Sequence, residues 1–148
     1  MTDLKVELTQ RVNAPINKVF DAWLNAEMLS KFMTPIRDMP KPRVECEGQQ
    51  GGRFTVYMMI NGQEVPHSGE YLEVERPHKL VFTWESPCST DGSTVTLNLK
   101  SIDENSTDVE LIHVKFTDEE TRSNHEGGWS TILAVLNETC SAPANASV

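Results

Sequence analysis

Apolar residues alternate with polar ones through most of the chain, which is the pattern of strands that have one buried face. The first such strand runs from Leu4 to Val12. Six more are predicted at Arg43–Glu47, Phe54–Ile60, Gly69–Glu75, Leu80–Trp84, Val95–Leu99 and Val109–His113. In the Gly69–Glu75 strand we expect Leu72 and Val74 to face inward. Short connections such as Asn61-Gly62 and Asp91-Gly92 predict an antiparallel meander, because parallel pairs need long crossovers.

Three other segments repeat their apolar residues at helical spacing. The first begins at Pro15, where the missing N–H is tolerated, and the second covers Ala26 to Phe32. The third and longest begins at a capping box from Thr117 to Glu120, and Gly127-Gly128 predicts a kink or a later start. The stripes are Ile16, Val19, Phe20 and Trp23 in the first helix and Trp129, Ile132, Leu133, Leu136 and Cys140 in the third.

The predicted order is therefore β-α-α-β-β-β-β-β-β-α. A meander with one apolar face needs a cover, and the C-terminal helix is the only predicted element long enough to supply it. We expect an α+β fold in which a curved antiparallel sheet of about seven strands wraps around that helix. Residues 1–140 are expected to form a single domain, and residues 141–148, rich in Ala, Ser and Asn, a flexible C-terminal tail.

Composition narrows the range of partners. The 148 residues carry a net charge of -9, which argues against nucleic acid and against anionic membrane surfaces. No apolar run approaches the roughly 20 residues of a membrane-spanning helix, and the first residues lack a secretion signal. Cys46, Cys88 and Cys140 are far apart and odd in number, which favours a reducing cytoplasm.

Several motifs occur in an order typical of one superfamily. They are Ala14-Pro15 with Val19–Trp23, Gly51-Gly52-Arg53-Phe54, Gly69–Val74 followed by Leu80–Trp84, and His125-Glu126-Gly127-Gly128-Trp129. With these motifs the chain resembles the START-like (SRPBCC) helix-grip proteins, and within them the single-domain activator of heat-shock-protein-90 ATPase homologue family. The chain departs from that family at Phe32, where Trp is usual, and we expect this change to alter the mouth of a cavity.

The resemblance implies a cavity between the sheet and the C-terminal helix. We expect it to hold an apolar or amphipathic small molecule and to be lined by Trp23, Val56, Met58, Phe82, Trp84, Leu97, His113, Trp129 and Leu133. The same aromatic residues would equally suit a solid core, and that alternative stays open.

The histidines are the residues best suited to ligand binding or acid–base chemistry. His113 shares the inward parity of its strand, so it could contact a ligand or act as a general acid or base, or it could be a structural residue bonded to the backbone. Adjacent helical residues do not face each other, so His125 beside Glu126 is interpreted as an ordinary solvated helix end. His67 and His78 neighbour turns and are expected to be exposed.

No His or Cys spacing suggests a metal site, and no cofactor is expected. Three functions remain from the sequence. The favoured one is binding of a small apolar ligand by a non-enzymatic protein that is a monomer or homodimer. The second, implied by the resemblance, is co-chaperone-like modulation of a heat-shock chaperone ATPase in a stress response. The third is a cyclase or hydrolase that uses the same cavity.

Overall fold

A computed structural model describes residues 4–34, 40–60, 62–85, 93–116 and 118–140 of the chain. Within these residues the elements follow the predicted order, and the α+β class is confirmed. They are β1 (Lys5–Val12), α1 (Ile16–Ala22), α2 (Ala26–Phe32), β2 (Arg43–Cys46), β3 (Arg53–Ile60), β4 (Gln63–Glu75), β5 (Lys79–Thr83), β6 (Thr94–Asp103), β7 (Ser106–Val114) and α3 (Glu119–Cys140).

The described strands form one curved antiparallel sheet in the order β1-β7-β6-β5-β4-β3-β2. The 13-residue β4 joins the two halves of this sheet, because its first part pairs with β3 and its last part with β5. Gly69 lies at the change of partner. A Cβ atom there would lie 2.0 Å from the Thr83 carbonyl oxygen and 2.6 Å from the Phe54 ring. Only glycine therefore allows this close approach without a shift of the neighbouring backbone.

The prediction for β4 was wrong in two respects. The strand begins at Gln63 rather than Gly69, and Leu72 points outward with 43% of its surface exposed, while Tyr71 is buried. The register shifts between Tyr71 and Glu73, which is a β-bulge. An extra residue at a bulge reverses the inward parity beyond it, so Val74 still packs against the core.

Side chains at the ends of the helices explain where α2 and α3 begin. The Asn25 side chain accepts a hydrogen bond from the Met28 N–H at 3.0 Å and caps α2. Asp118 does the same for α3 by accepting from the Thr121 N–H at 2.7 Å. Thr117, where we predicted the cap, lies outside the described residues. α3 continues through Gly127-Gly128 as a helix, so the later start expected there was wrong.

α3 covers the concave face of the sheet with the predicted stripe. Its buried residues are Trp129, Ile132, Leu133, Leu136 and Cys140. Buried aromatic rings fill part of the interior between the sheet and the helices. The Tyr71 hydroxyl donates to the Trp23 carbonyl at 2.8 Å, and the Trp23 and Phe32 rings pack edge to face with centroids 4.9 Å apart. Phe32 is thus a core residue, and the expectation that it shapes the mouth of a cavity was wrong.

Some predicted features fall outside the described residues. They are Asn61, Cys88, the Asp91-Gly92 turn and the tail at 141–148. β3 and β4 pair in register as far as Ile60 opposite Gln63, and Gly62 has a φ of 78°, which is typical of hairpin turns. Within the described ranges, no helix is both long and apolar enough to cross a bilayer.

Candidate functional site

A partly open pocket of about 140 Å³ lies where β3, β4 and the end of β5 meet the N-terminal half of α3. Its walls are mainly apolar and aromatic. We call it the Trp84–Trp129 pocket, and it is lined by Met58, His67, Trp84, Asn124, His125, Gly128, Trp129 and Ile132.

Strand pairing places the sheet side of this pocket. Met58 belongs to the inward set of β3, and His67 on β4 lies directly opposite Val56 of that set. Because opposite residues of an antiparallel pair point to the same face, His67 faces inward. The Trp84 ring follows β5 and lies 5.4 Å from the His67 ring and 4.9 Å from the Trp129 ring.

α3 supplies the other side. Trp129 is buried, and one turn earlier His125 is only half-buried. Gly128 has no side chain to occupy the space beside them. Its neighbour Gly127 faces open space, with nothing within 4 Å of an added Cβ atom.

His113 lies behind Trp129 and is fully buried. Its Nδ1 atom accepts a hydrogen bond from the Trp129 indole N–H at 3.0 Å. Since an indole nitrogen only donates, the proton of the neutral imidazole is on Nε2, which lies 2.5 Å from the Ser93 hydroxyl and donates to it. Burial lowers the pKa of His113 to about 3, so the ring is neutral at pH 7. Both ring nitrogens are therefore engaged within the protein.

His67 and His125 are held differently. In each ring Nδ1 contacts a backbone carbonyl oxygen, that of Val65 at 3.1 Å for His67 and that of Thr121 at 2.8 Å for His125. A carbonyl oxygen only accepts, so Nδ1 carries the proton in both rings. In the neutral form each Nε2 is then a hydrogen-bond acceptor. Burial lowers the pKa of His67, which favours that neutral form.

The structure corrects two expectations about these histidines. His67 was expected to be exposed, and His125 to be a solvated helix end, but both are half-buried in the pocket wall. His78 is exposed, as expected. The missed signal was the parity of Val65, His67, Gly69 and Tyr71, which alternate with more polar positions but precede the strand start that we predicted.

The nine residues expected to line a cavity divide into two groups. Met58, Trp84 and Trp129 line the pocket, and His113 supports Trp129 from behind. The other five lie in the close-packed core, and they are Trp23, Val56, Phe82, Leu97 and Leu133. Sequence reasoning did not single out Asn124, Gly128 and Ile132 as pocket residues.

One polar atom of the pocket wall has no partner. The Trp84 indole N–H is buried and makes no hydrogen bond to any described residue. In the same described ranges, no group of three or more His, Cys, Asp or Glu side chains converges as a metal site would require.

A curved antiparallel sheet closed by a long C-terminal helix defines a helix-grip protein of the START/SRPBCC superfamily. Residues 13–141 match the family model of activator of Hsp90 ATPase homolog 1-like proteins. The chain belongs to this family. A search of the curated proteins found no match.

Solved structures share the fold over nearly the whole chain. A protein from Chromobacterium violaceum is 20% identical with a TM-score of 0.78, covering 94% of this chain and 99% of that one. An HSP90 activator from Plasmodium falciparum is 22% identical with a TM-score of 0.75, covering 95% and 98%. CalU16 from Micromonospora echinospora is 25% identical with a TM-score of 0.69, covering 93% and 76%. At these identities the similarity establishes a common fold.

Proposed function

We propose that the chain binds a small apolar or amphipathic molecule in the Trp84–Trp129 pocket. The observation that carries this proposal is a partly open space of about 140 Å³ with aromatic walls, placed between the sheet and α3. An apolar cavity of about 150 Å³ is large enough to bind benzene, whereas pockets for drug-sized ligands measure about 300–1,000 Å³. The size therefore favours a molecule, or part of one, no larger than a single ring.

The surroundings support binding at this place rather than deeper in the protein. Trp23 and Phe82, which were expected to line a cavity, pack against each other with ring centroids 6.2 Å apart and are almost fully buried. The interior around these two rings is therefore filled by protein side chains, which leaves the Trp84–Trp129 pocket as the better place for a ligand.

Two adjacent glycines on α3 allow a matched test. Gly128→Leu places a side chain in the pocket, whereas Gly127→Leu places the same side chain in open space. We would titrate both variants and the wild type with toluene and follow the amide and indole signals by two-dimensional NMR. We expect saturable shifts around Trp84 and Trp129 in the wild type and in Gly127→Leu, and their loss in Gly128→Leu. Equal binding to both variants, or no binding to the wild type, would contradict the proposal.

The family supports a second candidate, which is stimulation of a heat-shock chaperone ATPase. The matching family model is that of activator of Hsp90 ATPase homolog 1-like proteins, and one similar structure is an HSP90 activator from Plasmodium falciparum. The direct test is the ATPase rate of Hsp90 from the same organism with and without this chain. An unchanged rate at saturating chain concentration would remove this candidate.

An enzymatic role has weaker support. His113 was the one inward histidine that the sequence offered as a general acid or base, and both of its nitrogens are hydrogen-bonded within the protein. A group held neutral and fully partnered in the core is not in a position to exchange protons with a substrate.

A further inference from the structure

The polar atoms of the Trp84–Trp129 pocket define the kind of ligand it accepts. His67 on β4 and His125 on α3 reach the pocket from opposite sides, and each has its Nδ1 proton fixed on a backbone carbonyl. No hydrogen bond to either Nε2 atom is found among the described residues. The backbone bond fixes the tautomer, so each ring in its neutral form offers Nε2 as an acceptor.

The remaining lining residues disfavour anionic ligands and metal ions. None of the eight is a lysine or arginine, so a carboxylate or phosphate would enter without a cation to pair with it. Two histidines without a third ligand group among the described residues are too few for a metal site. The aromatic walls, by contrast, suit a flat ring, because stacked and edge-to-face ring contacts are favourable.

We propose that the ligand is a single aromatic ring that bears a hydroxyl group, with the ring packed against the Trp84 and Trp129 side chains and the hydroxyl donating to Nε2 of His67 or His125. This inference rests on the proposed function and adds the chemical class of the ligand. The polar end of such a ligand would be held by a histidine acceptor, and its apolar body would occupy the rest of the pocket.

Phenol and toluene test the inference because they are nearly equal in size, and phenol carries a hydroxyl group where toluene carries a methyl group. A hydroxyl that enters an apolar site without a partner costs about 1–3 kcal/mol, or roughly 5–150-fold in affinity. With a histidine acceptor that cost is offset. We therefore expect the wild type to bind phenol at least as tightly as toluene when both dissociation constants are measured by NMR titration.

Variants then locate the acceptor. Replacing His67 and His125 together by Phe keeps an aromatic ring at each position but removes both acceptor nitrogens. We expect the ratio of the phenol to the toluene dissociation constant to rise at least about tenfold, in keeping with the loss of a buried hydroxyl's partner. The single variants His67→Phe and His125→Phe show which ring accepts the bond. His78→Phe, at an exposed position, is the control and should leave the ratio unchanged.

The outcomes separate this inference from the proposed function. If toluene and phenol both bind but the ratio is the same in the wild type and the double variant, the histidines do not recognise the hydroxyl and the inference is wrong. If neither compound binds the wild type, the proposed function itself fails. If the double variant does not fold, the two single variants give the same comparison.

Discussion

Replacing His113 by Ala tests whether this buried histidine is a structural residue. The change removes two hydrogen bonds and leaves the Trp129 indole N–H and the Ser93 hydroxyl in the interior without their partner. Each unsatisfied buried group costs about 1–3 kcal/mol, and the missing imidazole adds the cost of a cavity. We therefore expect the free energy of unfolding to fall by about 3–5 kcal/mol.

The assay is urea unfolding followed by far-UV circular dichroism at neutral pH. His78→Ala is the matched control, because His78 is exposed and surface substitutions usually change stability by less than about 0.5 kcal/mol. Trp129→Phe removes the indole donor and keeps an aromatic ring, so combining it with His113→Ala in a double-mutant cycle gives the coupling energy between the two side chains. A loss below about 1 kcal/mol in His113→Ala would refute the structural role, since unsatisfied groups alone cost that much.

Three further predictions concern the same core and α3. Burial lowers the pKa of His113 from 6.5 to about 3 in the folded protein, so protonation favours the unfolded chain. The contribution of the neutral ring to the free energy of unfolding is therefore full above pH 6.5 and is lost as the pH falls toward 3. The stability difference between wild type and His113→Gln should shrink by about 1.4 kcal/mol per pH unit over this window, and a constant difference in urea titrations would contradict this. Gly69→Ala should lower the free energy of unfolding by about 1–3 kcal/mol, because its Cβ atom would meet the Thr83 carbonyl and the Phe54 ring. An unchanged urea midpoint would contradict this and show that the strands shift easily. Gly127→Ala should raise stability by about 0.5–1 kcal/mol, since the position is helical and open, and a lower melting temperature would oppose it.

Much of the fold could be predicted because each element had a clear period. The stripe on α3 and the inward positions of β6 and β7 were all assigned correctly from spacing alone. The error in β4 arose because the bulge after Tyr71 inserts one residue, and alternation cannot reveal an insertion of that kind. Leu72 was consequently placed on the wrong face.

The pocket was harder to predict than the fold. Parity identifies residues that face inward, such as Trp23 and Trp84, but it does not reveal whether the space between them is filled. Trp23 meets Phe32 and Phe82, whereas Trp84 borders a position of α3 occupied by Gly128. That difference depends on the position of α3 across the sheet. The role of His67 followed from strand pairing, which became available only once the true start of β4 was known.

The most direct test of the ligand pocket is a crystal structure of the protein soaked with phenol at saturating concentration. We expect a single ring in the pocket, packed against Trp84 and Trp129, with its hydroxyl oxygen about 2.7–3.0 Å from Nε2 of His67 or His125, the distance of an ordinary hydrogen bond. An empty pocket, or a ring bound elsewhere on the surface while the pocket stays free, would contradict the proposed binding site.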